Sequence, residues 1–142
     1  AHTALGLHAL QHRGQEAAGI VTFDGRHFHN HRAAGLVGDI FGTQSIMAKL
    51  TGYSAIGHNR YATTGGSSDR NIQPIFADFD FGGLALAHNG NLTNAYLLRK
   101  ELVRMGCLVQ STTDTEVINH LIARSNYSTV QDRLIDALGR VK

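Results

Sequence analysis

Residues 88–91 (HNGN) place three polar side chains around a glycine, directly after an apolar run that ends near Leu86. An Asn-Gly pair is favoured in hairpin turns, but the residues from Thr93 onward start a helical pattern and not a returning strand. A strand-to-helix junction can present the side-chain amide of Asn89 and the backbone N–H of Gly90 side by side. Two such donors stabilise the negative oxygen of a tetrahedral intermediate, and glycine lets a reacting group approach the backbone closely.

Two charged residues elsewhere in the sequence suit the recognition of an α-amino acid. Arg60 lies near the end of a predicted strand, and arginine binds a carboxylate through two parallel hydrogen bonds; a structural ion pair is the alternative. Asp114 lies at the start of a predicted helix, where an acid favours the helix dipole but can also hold a ligand ammonium. With the oxyanion donors, these residues indicate an amidase that acts on an amino-acid amide, and glutamine is the obvious candidate.

The composition indicates a single globular domain. The chain has 142 residues, of which 42% are hydrophobic and 17% charged, enough to bury a core. A formal charge of +2 without a basic run gives no support for nucleic-acid binding, and no apolar run is long enough for a membrane span or a signal peptide. The single cysteine, Cys107, excludes an intrachain disulfide and fits a reducing cytoplasm. We expect it to be a small buried thiol.

The periodicity of apolar residues predicts a helix, then antiparallel strands, then helices. Strands are predicted over 17–23, 26–33, 53–61, 72–79 and 82–88, with a hairpin at Asp24-Gly25. Helical stretches are predicted over 3–11, 43–50 and 94–105, from 113 and from about 129. The helix that starts at 113 carries a capping box, in which Thr113 accepts from the backbone of Glu116 and Glu116 reaches back. Because strands and helices do not alternate, this order indicates an α+β layered domain and not a Rossmann fold.

Three histidines, His27, His29 and His31, alternate along the second predicted strand and therefore share a face. Three imidazoles on one face can bind zinc or nickel. No cysteine or acid nearby completes such a ligand set in the sequence, so we expect an exposed edge strand and no metal site.

Four segments, in this order, resemble the glutaminase domain of the amidophosphoribosyltransferase family: LQHRGQEAAGIV, GHNRYATTGG, LALAHNGNLTNA and TTDTEVINHLI. This family of class II glutamine amidotransferases catalyses the first committed step of purine synthesis, and the resemblance covers nearly the whole chain. The glucosamine-6-phosphate synthases share the Arg, Asn-Gly and Asp signals. They carry Tyr-Arg-Gly-Tyr-Asp where this chain has residues 12–16, so they are the more distant alternative.

The resemblance implies a four-layer αββα N-terminal-nucleophile hydrolase sandwich of two antiparallel sheets. It also implies how glutamine is bound. Arg60 would bind the α-carboxylate of glutamine and Asp114 its α-amino group. Thr63 would help to bind the substrate, and Arg13 would lie near the active-site terminus.

The resemblance further implies that Asn89, through its side chain, and Gly90, through its N–H, form the oxyanion hole.

The family nucleophile is a cysteine at the mature N-terminus, whose own α-amine activates the thiol. Here position 1 is Ala1, and Cys107 is internal and has no free amine. We therefore expect residues 1–142 to be a partial glutaminase domain, truncated at both ends and inactive by itself. A non-catalytic glutamine-binding module is the alternative if the gene lacks the cysteine.

The resemblance implies substrates and cofactors that belong to the complete protein. These are glutamine, and phosphoribosyl pyrophosphate bound with Mg²⁺ in a phosphoribosyltransferase domain outside this chain. We expect no cofactor in this segment and no metal. Some family members carry an iron–sulfur cluster, whose cysteines would lie outside residues 1–142. We also expect a cytoplasmic protein that binds neither nucleic acid nor membrane and forms a homo-oligomer when full length.

Overall fold

The computed structural model describes residues 1–61 and 69–142. Thr63, one of the predicted substrate-binding residues, lies outside the described residues. The chain forms two compact units, which are described separately here. The first comprises Ala1–Phe76 with Ala85–Ala87, and the second comprises Ala77–Leu84 with His88–Lys142.

The first unit is built around a three-stranded antiparallel sheet. Its strands are β1 (Ala17–Phe23), β2 (Phe28–Ala34) and β3 (Ser54–Arg60), in the order β2-β1-β3. Its helices are α1 (His2–Ala9), α2 (Val37–Phe41) and α3 (Gln44–Lys49), with a 3-10 turn at Gln11–Arg13 and another at Asp69–Asn71. Strand β1 has the predicted bounds, and α2 was not predicted because a single turn of five residues carries too little periodicity to detect.

The core of the first unit lies where the sheet packs against α1 and α2. Ala18 and Ile20 alternate on one face of β1 and are buried against apolar residues of the helices. That buried cluster contains Leu7, Ala18, Ile20, Val37, Ile40, Phe41 and Leu50. Since β1 is the central strand, its position fixes the register of both neighbours: Ala17 lies opposite Ala34 on one side and opposite Arg60 on the other.

The hairpin between β1 and β2 is held by Asp24. Its carboxylate accepts hydrogen bonds from the backbone N–H groups of His27 and Arg26, and it lies 2.9 Å from Nε2 of His29. These contacts lower the pKa of the Asp24 carboxyl well below its usual range. The hydrogen bond from the His27 N–H has the largest effect, followed by the one to the His29 side chain.

The histidine prediction is therefore partly wrong. Asp24 is an acid next to two of the three imidazoles, at 2.9 Å from His29 and 3.9 Å from His27, whereas His31 packs edge-on against the ring of Phe41, 5.8 Å away. His27 is exposed, but His29 and His31 are half-buried, although β2 is an edge strand of the described sheet, as predicted. Within residues 1–61 and 69–142, no group of three or more His, Cys, Asp or Glu side chains is placed to hold a metal ion.

The second sheet and three helices complete the described chain. Strands β4 (Ile75–Phe79) and β5 (Gly82–Leu86) form a two-stranded sheet, joined by a two-residue turn and hence antiparallel. Helices α4 (Ala95–Arg104), α5 (Asp114–Arg124) and α6 (Val130–Arg140) follow, close to their predicted bounds. Among the described helices, none is long and apolar enough to cross a membrane.

The helices of the second unit bury part of their apolar faces. Leu98 and Leu102 of α4 are buried, as are six residues of α5, four of them apolar. In α6 only Ala137 is buried, and Leu134 and Leu138, which the periodicity places on its apolar face, are exposed. The buried apolar residues of α5 are Val117, Ile118, Leu121 and Ile122. Arg140 at the end of α6 pairs with Glu101 of α4 at 2.9 Å. Packing of amphipathic faces therefore places the start of α5 beside α4, and this arrangement matters for the site.

Gly19, in the middle of β1, allows residues 72–74 to pass over the sheet. A Cβ atom on Gly19 would overlap the carbonyl oxygen of Gln73 and lie 2.8 Å from Cγ of Arg32, the residue opposite it in the register. Arg32 also donates to the carbonyls of Ile72 and Pro74, at 3.0 and 3.4 Å. The predicted strand over 72–79 therefore begins only at Ile75, because the backbone before it is engaged by Arg32.

We predict that Gly19→Ala lowers the free energy of unfolding by about 2 kcal/mol or more, because backbone atoms cannot move aside as a flexible side chain can. The control is Gly6→Ala in α1, where a Cβ would meet nothing within 4 Å; it should leave stability unchanged or raise it by about 0.5–1 kcal/mol. Urea unfolding of the purified protein measures both. Equal stability of the two variants would show that residues 72–74 do not pack on Gly19.

Candidate active site

Residues 88–91 form the predicted strand-to-helix junction. Strand β5 ends at Leu86 and helix α4 begins at Ala95, so the segment between them does not return as a hairpin. Asn89 and Gly90 are both exposed. The junction thus leaves a side-chain amide and a neighbouring backbone segment accessible, as an oxyanion hole requires, and the assignment of that role to this pair stays a prediction.

The carboxylate of Asp114 fastens this junction to the start of α5. Its Oδ2 atom accepts a hydrogen bond of 2.8 Å from the backbone N–H of Leu92, just after the junction. Its Oδ1 atom lies 3.8 Å from Nδ1 of His88, at the other end of the junction, and only 16% of the Asp114 side chain is exposed. One carboxylate therefore lies against both ends of the segment that carries Asn89 and Gly90.

His88 explains why the junction contains a glycine. A Cβ on Gly90 would lie 2.6 Å from Nε2 of His88 and 3.1 Å from its Cε1 atom. The imidazole ring therefore packs directly against the α-carbon of Gly90, an approach that any larger residue would block unless the ring moved. Sequence reasoning identified Gly90 through its chemistry but missed this contact, since nothing in the pattern shows which way the ring of His88 turns.

The capping of α5 differs from the prediction in its bonding partners. Thr113 is the N-cap residue, as predicted, but its hydroxyl accepts from the N–H of Thr115 at 3.2 Å and not from Glu116. Glu116 reaches further upstream than a capping box requires, and its carboxylate accepts from the N–H groups of Gln110 and Ser111 at 2.8 and 2.9 Å. The chain before the helix folds back toward the first turn, so these two amides are the nearer donors.

Arg60 and Arg13 belong to the first unit, at one end of its sheet. Arg60 is the last residue of β3, and its carbonyl accepts from the N–H of Glu16 at 3.2 Å. Gly14 packs closely on the same strand end, since a Cβ there would lie 2.7 Å from the carbonyl carbon of Arg60. Arg13 directly precedes this contact, as the last residue of the 3-10 turn, and is exposed. The polar segment 13–16 is thus held against the end of β3.

This end of the sheet carries buried polar atoms that have no hydrogen-bond partner. Within the described part of the chain, they include Nη1 of Arg60, Oε2 of Glu16 and Oδ1 of Asn59. More than about nine in ten buried polar groups are normally paired, and each unpaired one costs about 1–3 kcal/mol. A bound carboxylate would accept a hydrogen bond from Nη1 of Arg60 and remove this cost, which supports the prediction that Arg60 binds an anionic group. Glu16 and Asn59 were not predicted, although both lie in the polar segments that carry the resemblance.

The structure thus groups the predicted residues by unit. In the second unit it joins Asp114 to the junction that carries Asn89 and Gly90, and in the first unit it places Arg13 close to the strand end formed by Arg60. Cys107 is half-buried, less than the fully buried thiol that was expected.

The chain is similar to glutamine-dependent enzymes of purine synthesis. Residues 58–137 match the family model described as a glutamine amidotransferase domain. The amidophosphoribosyltransferase of Rhizobium etli is 55% identical over 140 residues, which cover 99% of this chain and 28% of that protein. The solved Bacillus subtilis glutamine phosphoribosylpyrophosphate amidotransferase, complexed with ADP and GMP, is 45% identical with a TM-score of 0.91, over 99% of this chain and 30% of that one. A solved structure described as the allosteric regulatory enzyme of purine biosynthesis is 46% identical with a TM-score of 0.92, over the same shares of the two chains.

These similarities test the fold and the family. The chain spans less than a third of the length of these relatives. Over that part the TM-scores confirm the α+β fold with two antiparallel sheets, the sandwich of the N-terminal-nucleophile hydrolases that the resemblance implied. The family match covers Arg60, Asn89, Gly90 and Asp114, whereas Arg13 lies before it. Because this match spans more than half of the chain, the chain belongs to the family of glutamine amidotransferase domains.

Proposed function

We propose that this chain is the glutamine-hydrolysing part of an amidophosphoribosyltransferase. In that enzyme, ammonia released from glutamine is transferred to phosphoribosyl pyrophosphate to give phosphoribosylamine. The names of the relatives and their identities of 45–55% over 99% of the chain support this assignment. They favour it over a domain of the glucosamine-6-phosphate synthase type.

One observation carries the proposal most directly: the junction that holds Asn89 and Gly90 is fastened by the carboxylate of Asp114 through the N–H of Leu92. The bond is not needed to cap α5, because Thr113 already caps it. It fixes the junction, and donors stabilise a transition state best when they are fixed before the charge develops.

The residues have the following roles in the proposed reaction. Arg60 binds the α-carboxylate of glutamine and Asp114 its α-amino group, while Thr63 and Arg13 contribute to substrate binding. A cysteine thiolate attacks the side-chain amide carbon, and the oxyanion is stabilised by the junction. The carbon–nitrogen bond breaks as the leaving nitrogen receives the proton that the thiol gave to the α-amine, so that it departs as ammonia. Water then hydrolyses the thioester to release glutamate and the free thiol.

The attacking thiol has to come from outside residues 1–142. Cys107 is the only cysteine of the chain, and as an internal residue it has no α-amine to act as its own base. We place the nucleophile at the mature N-terminus of the complete protein. Transfer to phosphoribosyl pyrophosphate, with Mg²⁺, belongs to a domain outside this chain, and so does any iron–sulfur cluster. The full-length protein forms a homo-oligomer. We propose the cytoplasm as the site of this reaction.

We predict that the gene encodes a cysteine followed by glycine and apolar residues, about two dozen residues before Ala1. Replacement of that cysteine by alanine in the full-length protein should abolish glutamine-dependent synthesis and preserve synthesis from added ammonia, because only the thiol step is removed. Assays of both reactions on one preparation check this. Loss of both activities in a folded protein would contradict separate sites for hydrolysis and transfer. A gene without the cysteine would leave a non-catalytic glutamine-binding module instead.

Arg60→Lys in the full-length protein should raise KM for glutamine about tenfold or more and leave kcat within about threefold. Lysine keeps the charge but cannot donate two parallel hydrogen bonds to one carboxylate, and the α-carboxylate is bound equally before and during the reaction. Arg26→Lys is the matched control, because Arg26 is exposed in the β1–β2 hairpin. Steady-state glutaminase kinetics measure both variants. An unchanged KM in Arg60→Lys would remove Arg60 from the binding site.

A further inference from the structure

Arg99 on α4 binds the backbone that leads into α5. Its Nη1 atom donates to the carbonyl of Ser111 and its Nη2 atom to the carbonyl of Thr113, both at 2.7 Å. Only 23% of the side chain is exposed. The planar guanidinium therefore spans two carbonyls of one short segment, and the second of these belongs to the N-cap residue of α5.

Glu116 binds the same segment from its amide side. Its carboxylate accepts from the N–H groups of Gln110 and Ser111 and from the Ser111 hydroxyl, the last at 2.7 Å. Oε2 of Glu116 also lies 3.9 Å from Nη1 of Arg99. The segment 110–113 is thus held between a cation that binds its carbonyls and an anion that binds its amides. We call this pair of side chains the 110–113 clamp.

Charge alone does not explain why an arginine occupies this place. The N-terminus of a helix carries a partial positive charge, so a cation beside it is unfavourable. Asp114 and Glu116, both in the first turn of α5, offset that repulsion. The two short carbonyl bonds are the contact that an arginine, and no other side chain, makes in this geometry.

We propose that Arg99 and Glu116 are positioning residues for Asp114. Asp114 is the first residue of α5, directly after the clamped segment, so the clamp fixes the backbone from which its carboxylate projects. That carboxylate in turn accepts a hydrogen bond from the N–H of Leu92 and so fixes the junction at 88–91, which carries Asn89 and Gly90. The inference rests on the proposed function for the identity of the substrate, whose α-amino group Asp114 also binds.

The test compares Arg99→Gln, Arg99→Lys and Arg104→Gln in the full-length protein, with glutamine-dependent and ammonia-dependent synthesis measured on each preparation. Arg104 is the control, because it lies on the same helix and is exposed. Arg99→Gln should raise KM for glutamine and lower its kcat, each about tenfold, since a displaced Asp114 weakens both the ammonium contact and the oxyanion junction. Arg99→Lys, which can reach one carbonyl, should lie between Arg99→Gln and wild type. Arg104→Gln should stay within about twofold of wild type.

Ammonia-dependent synthesis separates a positioning role from a merely structural one. It should be unchanged in all three variants, and its loss in proportion to the glutamine-dependent reaction would overturn the proposal. Wild-type kinetics in Arg99→Gln would overturn it as well.

Hydrogen–deuterium exchange separates this inference from the proposed function. A peptide that contains Leu92 should exchange about tenfold faster in Arg99→Gln than in Arg104→Gln, because the Leu92 N–H loses its acceptor. If the wild-type protein does not hydrolyse glutamine, the proposed function fails, and exchange at Leu92 still decides whether the clamp positions Asp114.

Discussion

The candidate active site depends on one hydrogen bond, from the backbone N–H of Leu92 to the carboxylate of Asp114. A carboxylate that is mostly removed from solvent must be compensated by hydrogen bonds and favourable dipoles. Asp114 has both, since it lies in the first turn of α5, where the helix dipole favours a negative charge. The start of α5 therefore determines where the junction after β5 can lie. Any change that moves this helix start moves Asn89 and Gly90 with it.

The first unit depends on a different constraint, the central position of β1. Its register places Arg60 opposite Ala17 at the end of the sheet, and the N–H of Glu16 closes this end by binding the Arg60 carbonyl. The unpaired atoms there, among them Nη1 of Arg60, lower stability unless a ligand satisfies them. Retention of such groups is typical of binding sites, where binding energy offsets a cost in folding energy.

Local patterns predicted much of this structure because they depend on neighbouring residues. The apolar run of β1 follows from burial on both faces of the strand, and the apolar stripe of α5 follows from burial on one face. The junction at 88–91 follows from a change of period between β5 and α4. Contacts between a side chain and backbone that is distant in the sequence leave no periodic pattern from which they could be predicted. The bonds of Arg99 to the carbonyls of Ser111 and Thr113 are of this kind, and so is the packing of residues 72–74 on the sheet. The partners of Glu116 were mistaken for the same reason: a capping box assumes an extended approach to the helix, whereas this chain folds back.

The most direct test of the account is the glutaminase rate of Asn89→Ala, measured against Asn91→Ala in the full-length protein. Both asparagines are exposed on the same junction, so the comparison isolates the oxyanion donor. The account predicts that Asn89→Ala lowers kcat by about a hundredfold to a thousandfold with little change in KM, as the loss of one preorganised donor does in other enzymes. Asn91→Ala should stay within about threefold of wild type. Equal and small effects of the two substitutions would contradict an oxyanion hole at this junction.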